Sequence, residues 1–334
     1  GAALATGGPA VAGEPSVRCE VKEDVDGLEH GVLVCAPFDR GEGPLPLFAF
    51  SHGDFTTARQ YQQLLKTVAA AGFVVAAYRA CVPKCPNNGA FAFIDLLEVV
   101  AVASEPGFRV AEGMPSVHPS LPVVVAGHST GGRAALMAAA VADSPEYLRG
   151  TEYAELLDRD DGRLRKVAAR IGAAIPLHPD PMSDPLQDPD VARFPGAISK
   201  TPVFEVCSGF DYTLPLGSCW YDFRAITSPQ RIYWDLPVGT HSESLFSPTE
   251  WPWVAKFARA FALGDAEDKE LLFGDCPSCF RNVVGSALPG ELQTGDGSVS
   301  LVICSGASAP ATSDEARYCS PPEASLSSDP QALQ

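Results

Sequence analysis

A serine flanked by glycines is the residue of this chain whose setting most clearly allows chemistry. Ser129 stands in the pentapeptide Gly127-His128-Ser129-Thr130-Gly131. A continuous apolar run at 121–126 leads into this motif, and a small-residue, helix-prone run follows it. This strand–turn–helix pattern is typical of a nucleophile elbow, in which small residues let the backbone turn sharply and the serine hydroxyl project from the sheet. Gly-x-Ser-x-Gly occurs by chance in unrelated chains, so the flanking elements carry the prediction that Ser129 is a nucleophile.

A serine hydroxyl is a weak nucleophile and needs a histidine base. In an elbow of this type the catalytic residues follow the chain order Ser, acid, His. This order excludes the four histidines that precede the motif or lie inside it: His30, His52, His118 and His128. His241 lies in a loop directly after the last predicted strand, so we predict that it is the base. For His178, which follows an earlier strand, we expect a pocket-lining or a structural role.

The acid should orient the imidazole and stabilise its charged form. Asp211 follows the predicted strand 202–207 and precedes His241, which makes it the predicted acid. Asp180 and Asp184, after the preceding strand, compete for the same role.

An acyl-transfer site also needs N–H donors for the oxyanion. We expect one from Thr130, directly after the nucleophile, and one from Asp54, in the loop after the predicted strand 46–51. Four aromatic residues near the predicted catalytic loops could line an apolar pocket or belong to the core: Phe55, Trp220, Tyr221 and Phe246.

Alternating strands and helices must position these residues. Eight apolar runs predict strands at 17–21, 31–36, 46–51, 73–79, 121–127, 171–177, 202–207 and 231–236. Helical patterns occupy 57–71, 91–103, 131–142 and 250–263. Continuous apolar strands that alternate with helices predict an α/β protein with a mostly parallel sheet of about eight strands. The charged segment 143–170 interrupts the alternation, either as a lid over the pocket or as an ordinary pair of surface helices.

Composition divides the chain further. We expect a flexible segment at 1–15, an α/β catalytic domain at 16–270 and a Cys-containing extension with a flexible tail at 271–334.

The ten cysteines predict disulfides and a secreted or otherwise oxidising location, and half a zinc site at Cys276/Cys279 is the weaker alternative. The net charge of −17 argues against nucleic acid and anionic membranes as partners. No apolar stretch is long enough to span a bilayer. We expect a monomer.

The motifs resemble those of a known branch of serine esterases. Residues 51–53, 71–75 and 127–132 are similar to the corresponding segments of chlorophyllases, platelet-activating-factor acetylhydrolases and cutinase-like polyester hydrolases. Residues 201–204 and 210–215 are similar to the acid-bearing strand, and the loop after it, of cutinase-like and dienelactone hydrolases. This resemblance implies an α/β-hydrolase fold. The expected acyl-enzyme chemistry of Ser129, Asp211 and His241 needs no metal or organic cofactor. The chain departs from both groups at Thr130, where plant chlorophyllases usually have Arg and bacterial polyester hydrolases Met.

These observations together predict a serine carboxylic-ester hydrolase that acts on an apolar small-molecule or polymeric ester, in the manner of cutinases. Hydrolysis of the phytyl ester of chlorophyll, with a plastid location, and hydrolysis of phospholipid acyl esters are the alternatives. A non-catalytic binding protein of the same fold is an alternative of another class.

Overall fold

The computed structural model describes residues 16–23, 25, 28, 31–38, 43–78, 92–108, 111–148, 152–182, 194–209, 211–214, 218–236, 239–246, 248–285, 301–305 and 319. Its strands are β1 Val17–Lys22, β2 Val32–Pro37, β3 Leu47–Ser51, β4 Val74–Tyr78, β5 Val123–His128, β6 Ile171–Leu177, β7 Val203–Ser208, β8 Arg231–Leu236 and β9 Leu301–Cys304. They form a single sheet in the order β1-β2-β4-β3-β5-β6-β7-β8-β9. Strands β3 to β8 are parallel, and β1, β2 and β9 are antiparallel to their neighbours.

Helices cover both faces of the sheet. They are α1 Gln62–Ala70, α2 Ala92–Ala103, α3 Thr130–Asp143, α4 Glu152–Ala168, α5 Phe194–Ala197, α6 Ser218–Ala225, α7 Glu243–Phe246, α8 Trp251–Ala262, α9 Ala266–Phe273 and α10 Phe280–Gly285, with short 3-10 turns at Ala58–Tyr61 and Pro145–Leu148. None of the helices in the described part of the chain is both long and apolar enough to cross a membrane.

Strand periodicity divides the core into two layers. In β5, Val123 and Val125 pack with α2, α3 and α4, whereas Val124 and Ala126 pack with α1 and α8 on the opposite face. Because successive strand residues point to opposite faces, a strand covered on both sides reads as a continuous apolar run. The apolar run at 121–126 therefore predicts β5, and packing on both faces of the sheet holds the strand that leads into Ser129.

The α/β prediction is confirmed, with one strand more than expected. All eight predicted strands are present, and β9, from the predicted extension, pairs antiparallel with β8 at the edge of the sheet. The charged segment 143–170 contains α4, whose Tyr153, Leu157 and Leu164 are buried against the α2–α3 side of the core. Residues 1–15 and the tail lie outside the described residues.

The predicted disulfides are present. Among the described residues they join Cys19 to Cys35, Cys207 to Cys219, Cys276 to Cys279 and Cys304 to Cys319. Cys276 and Cys279 are therefore bonded to each other, against the zinc alternative. Cys81 and Cys85 lie outside the described residues. Disulfides of this number hint at an oxidising compartment.

Candidate active site

Ser129 occupies the sharp turn between β5 and α3. Its φ of 56° and ψ of −123° lie in a region that residues with side chains rarely adopt. The turn is held by backbone hydrogen bonds: the Ser129 N–H donates to the Leu177 carbonyl at 3.0 Å, and the Ser129 carbonyl accepts from Asp180 N–H at 3.0 Å. Strain maintained by surrounding bonds is common at functional sites, and a sharp strand–turn–helix connection is what the sequence predicts here.

Two glycines of the motif are required by the close approach of the backbone. A Cβ on Gly127 would lie 2.2 Å from the Gly131 carbonyl oxygen, and a Cβ on Gly131 would lie 2.1 Å from the Ser51 carbonyl oxygen. No side chain fits at either distance. The glycines therefore allow β5, α3 and the end of β3 to meet at Ser129.

The predicted acid and base are in direct contact. His241 Nδ1 lies 2.6 Å from Asp211 Oδ2, and both side chains are mostly buried. The other carboxylate oxygen, Oδ1, accepts backbone N–H groups from Thr213 at 2.9 Å and Leu214 at 3.1 Å. Burial by itself would raise the pKa of Asp211, but the contact with His241 and the two backbone hydrogen bonds outweigh it and hold the pKa below its usual value. Asp211 is therefore a carboxylate at neutral pH.

His128 connects the elbow to the loop of the predicted base. Its Nε2 lies 2.5 Å from the His241 carbonyl oxygen, and because a carbonyl only accepts, Nε2 carries the proton. Its Nδ1 then accepts from the Tyr61 hydroxyl at 2.7 Å. Burial is the main cause that lowers the pKa of His128 to about 3, so this imidazole is neutral. Burial likewise raises the pKa of Tyr61 to about 12.

The two loops predicted to donate to the oxyanion also meet beside Ser129. A Cβ on Gly53 would lie 2.9 Å from the Ser129 Cβ, so the loop after β3 packs directly against the predicted nucleophile. The Thr130 hydroxyl donates to Asp54 Oδ1 at 3.2 Å. The Asp54 carboxylate is thereby tied to the Thr130 side chain, and its backbone N–H remains a candidate oxyanion donor.

Of the two competing acids, the structure describes Asp180, which has a different partner. Asp180 forms an ion pair with the buried Arg133, with 2.9 Å between Nη1 and Oδ2. Asp184 lies outside the described residues. The geometry therefore favours Asp211 over Asp180 as the partner of the base.

His178 is fully buried, which supports the structural rather than the pocket-lining of its two expected roles. Its Nδ1 faces Ser208 Oγ at 3.0 Å and its Nε2 faces Glu250 Oε1 at 3.2 Å. The sequence signal was a histidine at the end of a buried strand, but its partners are 30 and 72 residues away, beyond the range of any local pattern.

The predicted pocket aromatics divide into two groups. Phe55, Tyr221 and Phe246 are 92%, 60% and 78% exposed, whereas Trp220 packs against Phe223 and Tyr233. Sequence reasoning missed Tyr212, which follows Asp211 directly and is 83% exposed. Phe55 and Tyr212 lie on the loops that follow β3 and β7, and Phe246 ends α7, which follows β8. The predicted oxyanion donor Asp54, the predicted acid and the predicted base lie on the same three connections.

Among the residues that the structure describes, one group of side chains has metal-ligand spacing: Glu205, Cys207 and Cys219. The two cysteines form a disulfide, so neither sulfur is a free thiolate ligand. The site around Ser129 contains no such group within the same ranges.

Comparison with known proteins supports the fold. No curated protein matches the chain. Residues 11–152 match the family model described as Chlorophyllase; this range includes Asp54, Ser129 and Thr130 but ends before Asp211 and His241, and it covers less than half of the chain. Chlorophyllase is an α/β-hydrolase-type family, so the match supports an ester hydrolase in general. Together with the nine-stranded, mostly parallel sheet and the elbow at its centre, this match identifies the chain as a protein of α/β-hydrolase type that resembles the Chlorophyllase family over residues 11–152.

Proposed function

We propose that the chain is a serine carboxylic-ester hydrolase in which Ser129, Asp211 and His241 act together. The observation that carries the proposal is the 2.6 Å contact between Asp211 and His241 Nδ1, on a loop tied to the residue beside Ser129. A carboxylate on Nδ1 keeps the proton on that nitrogen and leaves Nε2 free to accept another.

The reaction then proceeds in two halves. His241 Nε2 takes the Ser129 proton while Oγ forms a bond to the ester carbonyl carbon. The resulting oxyanion accepts from the N–H groups of Thr130 and Asp54. His241 passes the proton to the leaving alcohol as the ester C–O bond breaks. In the second half, His241 takes a proton from water, the hydroxide oxygen attacks the acyl-enzyme, and the proton returns to Ser129 as the carboxylic acid leaves.

Exposed aromatic side chains support an apolar ester as substrate. Phe55 stands at 92% exposure with a positive φ of 59°, a conformation that is costly for a bulky residue. Tyr212, in the loop after β7, and Phe246, at the end of α7, add two further exposed rings. Large apolar side chains that are left exposed are typical of binding surfaces. We therefore favour an apolar ester, as in the cutinase-like enzymes, over a small polar one.

The match to the Chlorophyllase model makes the phytyl ester of chlorophyll the second candidate substrate. Product analysis distinguishes the two: incubation with chlorophyll a gives chlorophyllide and phytol if the second candidate is right. Incubation with polyester film or a dispersed long-chain ester gives soluble acids if the first is right. A short-chain phospholipid in the same panel tests acyl-lipid hydrolysis.

The mechanism is tested by burst kinetics with p-nitrophenyl butyrate. We expect wild-type protein to release about one equivalent of p-nitrophenol in the burst, and Ser129→Ala to lose at least about 10³-fold in turnover because the covalent route is removed. Ser120→Ala, an exposed serine upstream of β5, is the matched control and should keep full activity. Unchanged turnover in Ser129→Ala would refute the mechanism. Failure of wild type to hydrolyse any acyl ester would favour the non-catalytic binding protein.

A further inference from the structure

The loop that carries the predicted base is fixed at two consecutive carbonyls. We call residues 239–242 the base loop. The Thr240 carbonyl accepts a hydrogen bond from Ser208 Oγ at 3.0 Å, and the His241 carbonyl accepts one from His128 Nε2 at 2.5 Å. Both donors are buried side chains at the ends of parallel strands, His128 on β5 and Ser208 on β7, with β6 between them. The peptide groups before and after His241 are therefore each held by one hydrogen bond.

The single hydroxyl proton of Ser208 fixes the direction of its hydrogen bonds with Thr240 and His178. The Ser208 hydroxyl has one hydrogen, which goes to the Thr240 carbonyl because a carbonyl cannot donate. The 3.0 Å contact between Ser208 Oγ and His178 Nδ1 must then be a donation from Nδ1–H to Oγ. His178 thus orients the hydroxyl that holds the base loop.

The opposite side of the His178 ring is closed by a buried carboxyl group, that of Glu250. Nε2 faces Glu250 Oε1 at 3.2 Å, and Ser244 donates to Glu250 Oε2 at 2.8 Å. His178, Ser244 and Glu250 are each 0% exposed. Glu250 also caps α8, since its carbonyl accepts from Trp253 and Val254 N–H groups at 3.0 Å. The contact with Glu250 therefore fixes the ring of His178 between α8 and the end of β7.

The polar side chains of His178, Ser208 and Glu250 lose their hydration when they are buried, and only hydrogen bonds among them compensate this cost. The chain of hydrogen bonds runs from α8 through His178 and Ser208 to the residue before the predicted base. We propose that His178, acting through Ser208 and anchored by Glu250, is a positioning residue that holds His241 in its contact with Asp211. This inference rests on the proposed function, but the geometry it describes can be measured without substrate.

Other titratable groups also lie around His178. Its ring centroid is 5.8 Å from that of His128 and 6.4 Å from that of His241. Asp235, whose pKa burial raises to about 6, interacts electrostatically with it. The test therefore uses Ser208, a residue that does not titrate, so that no charge changes around the site.

Ser208→Ala removes the donor to the base loop and leaves Asp211, His241 and Ser129 in place. We expect kcat on p-nitrophenyl butyrate to fall about 10-fold, the effect of one hydrogen bond, with KM changed less than about 2-fold. The acid limb of the kcat/KM profile should move to lower pH, because a base held less firmly by Asp211 releases its proton more readily. Ser208→Thr retains the hydroxyl and should restore most of the activity.

The matched control is Ser228→Ala. Ser228 is also 0% exposed and its hydroxyl donates to a backbone carbonyl, that of Lys200, away from the site. It should lose stability without any change in kcat or in the pH profile. Equal effects of Ser208→Ala and Ser228→Ala on kcat and profile would mean that Ser208 acts only through stability, and the inference would be wrong.

A spectroscopic measurement separates this inference from the proposed function. The proton between His241 Nδ1 and Asp211 should give a strongly deshielded NMR signal in wild-type protein, and in Ser208→Ala this signal should move upfield or broaden. An unchanged signal overturns the positioning role whether or not the protein hydrolyses esters. A changed signal in a protein without esterase activity supports the positioning role and refutes the proposed function alone.

Discussion

Replacement of Asp211 by asparagine should disable the base by changing its tautomer. Asp211 Oδ1 accepts N–H groups from Thr213 and Leu214. In Asp211→Asn the amide oxygen must remain at this position, since an NH₂ group there would face two donors. The new NH₂ group is then directed at His241 Nδ1, which must give up its proton and accept. The proton moves to Nε2, the nitrogen that has to accept the Ser129 proton.

The expected loss follows from this geometry. Loss of a charge-assisted hydrogen bond alone would cost about 1.5–3 kcal/mol, or roughly 10- to 150-fold in rate. The wrong tautomer costs more, because nearly every molecule then holds a base that cannot accept a proton. Serine hydrolases with this change lose about 10⁴-fold in kcat, equivalent to about 5.4 kcal/mol. We expect a loss of this size in steady-state hydrolysis of p-nitrophenyl butyrate.

Asp180→Asn is the matched control, since Asp180 is the competing acid and follows β6, the strand next to β7. It breaks the ion pair with the buried Arg133, so we expect a lower melting temperature with kcat retained within about 3-fold at temperatures below unfolding. A loss of less than about 10-fold in Asp211→Asn, or a 10⁴-fold loss in Asp180→Asn in protein that is still folded, would refute the assignment of the acid.

Two further predictions concern the loop that carries Asp211. This loop is closed by the disulfide between Cys207 and Cys219, with a sequence separation of 12. Replacement of both cysteines by serine should lower the free energy of unfolding by about 3 kcal/mol, measured by urea titration, and reduce kcat, measured by steady-state kinetics. The same change at Cys276 and Cys279, away from the loop, should leave kcat unchanged. Because the pKa of Asp211 is depressed in the folded state, its stabilising contribution is present at neutral pH and disappears as the pH falls through that depressed value. Urea unfolding should therefore show wild type more stable than Asp211→Asn at pH 7, with the difference shrinking only below the ordinary Asp value of about 3.9; a constant difference down to pH 2.5 would contradict this account.

Much of the fold could be predicted because its signals are local. Strand β5 is an apolar run that both core layers require, and the glycines at 127 and 131 mark the turn that follows it. Strand β9 escaped prediction because Leu301–Cys304 is short and its pairing with β8 depends on residues about 70 positions earlier in the chain. No local periodicity encodes such a pairing.

The site was only partly predictable for a similar reason. Chain order led to His241 as the predicted base and to Asp211 as the favoured acid, but it left Asp180 and Asp184 as competitors, since both also lie between Ser129 and His241. The buried contacts of His178 and His128 depend on side chains brought together by three different strands and α8. A histidine in sequence looks the same whether it lines a pocket or holds a loop, so its role required the structure.

The parallel register of the sheet explains why residues so far apart in sequence meet. His128 at the end of β5 pairs with Leu177 of β6, Leu177 pairs with Val206 of β7, and Ser208 of β7 pairs with Leu236 of β8. The carboxyl ends of these strands therefore lie along one edge, and every loop that follows them opens there. A shift of β7 by one residue would turn Ser208 to the opposite face, away from Thr240 and His178. The geometry of the predicted base thus depends on strand register as much as on the residues of its own loop.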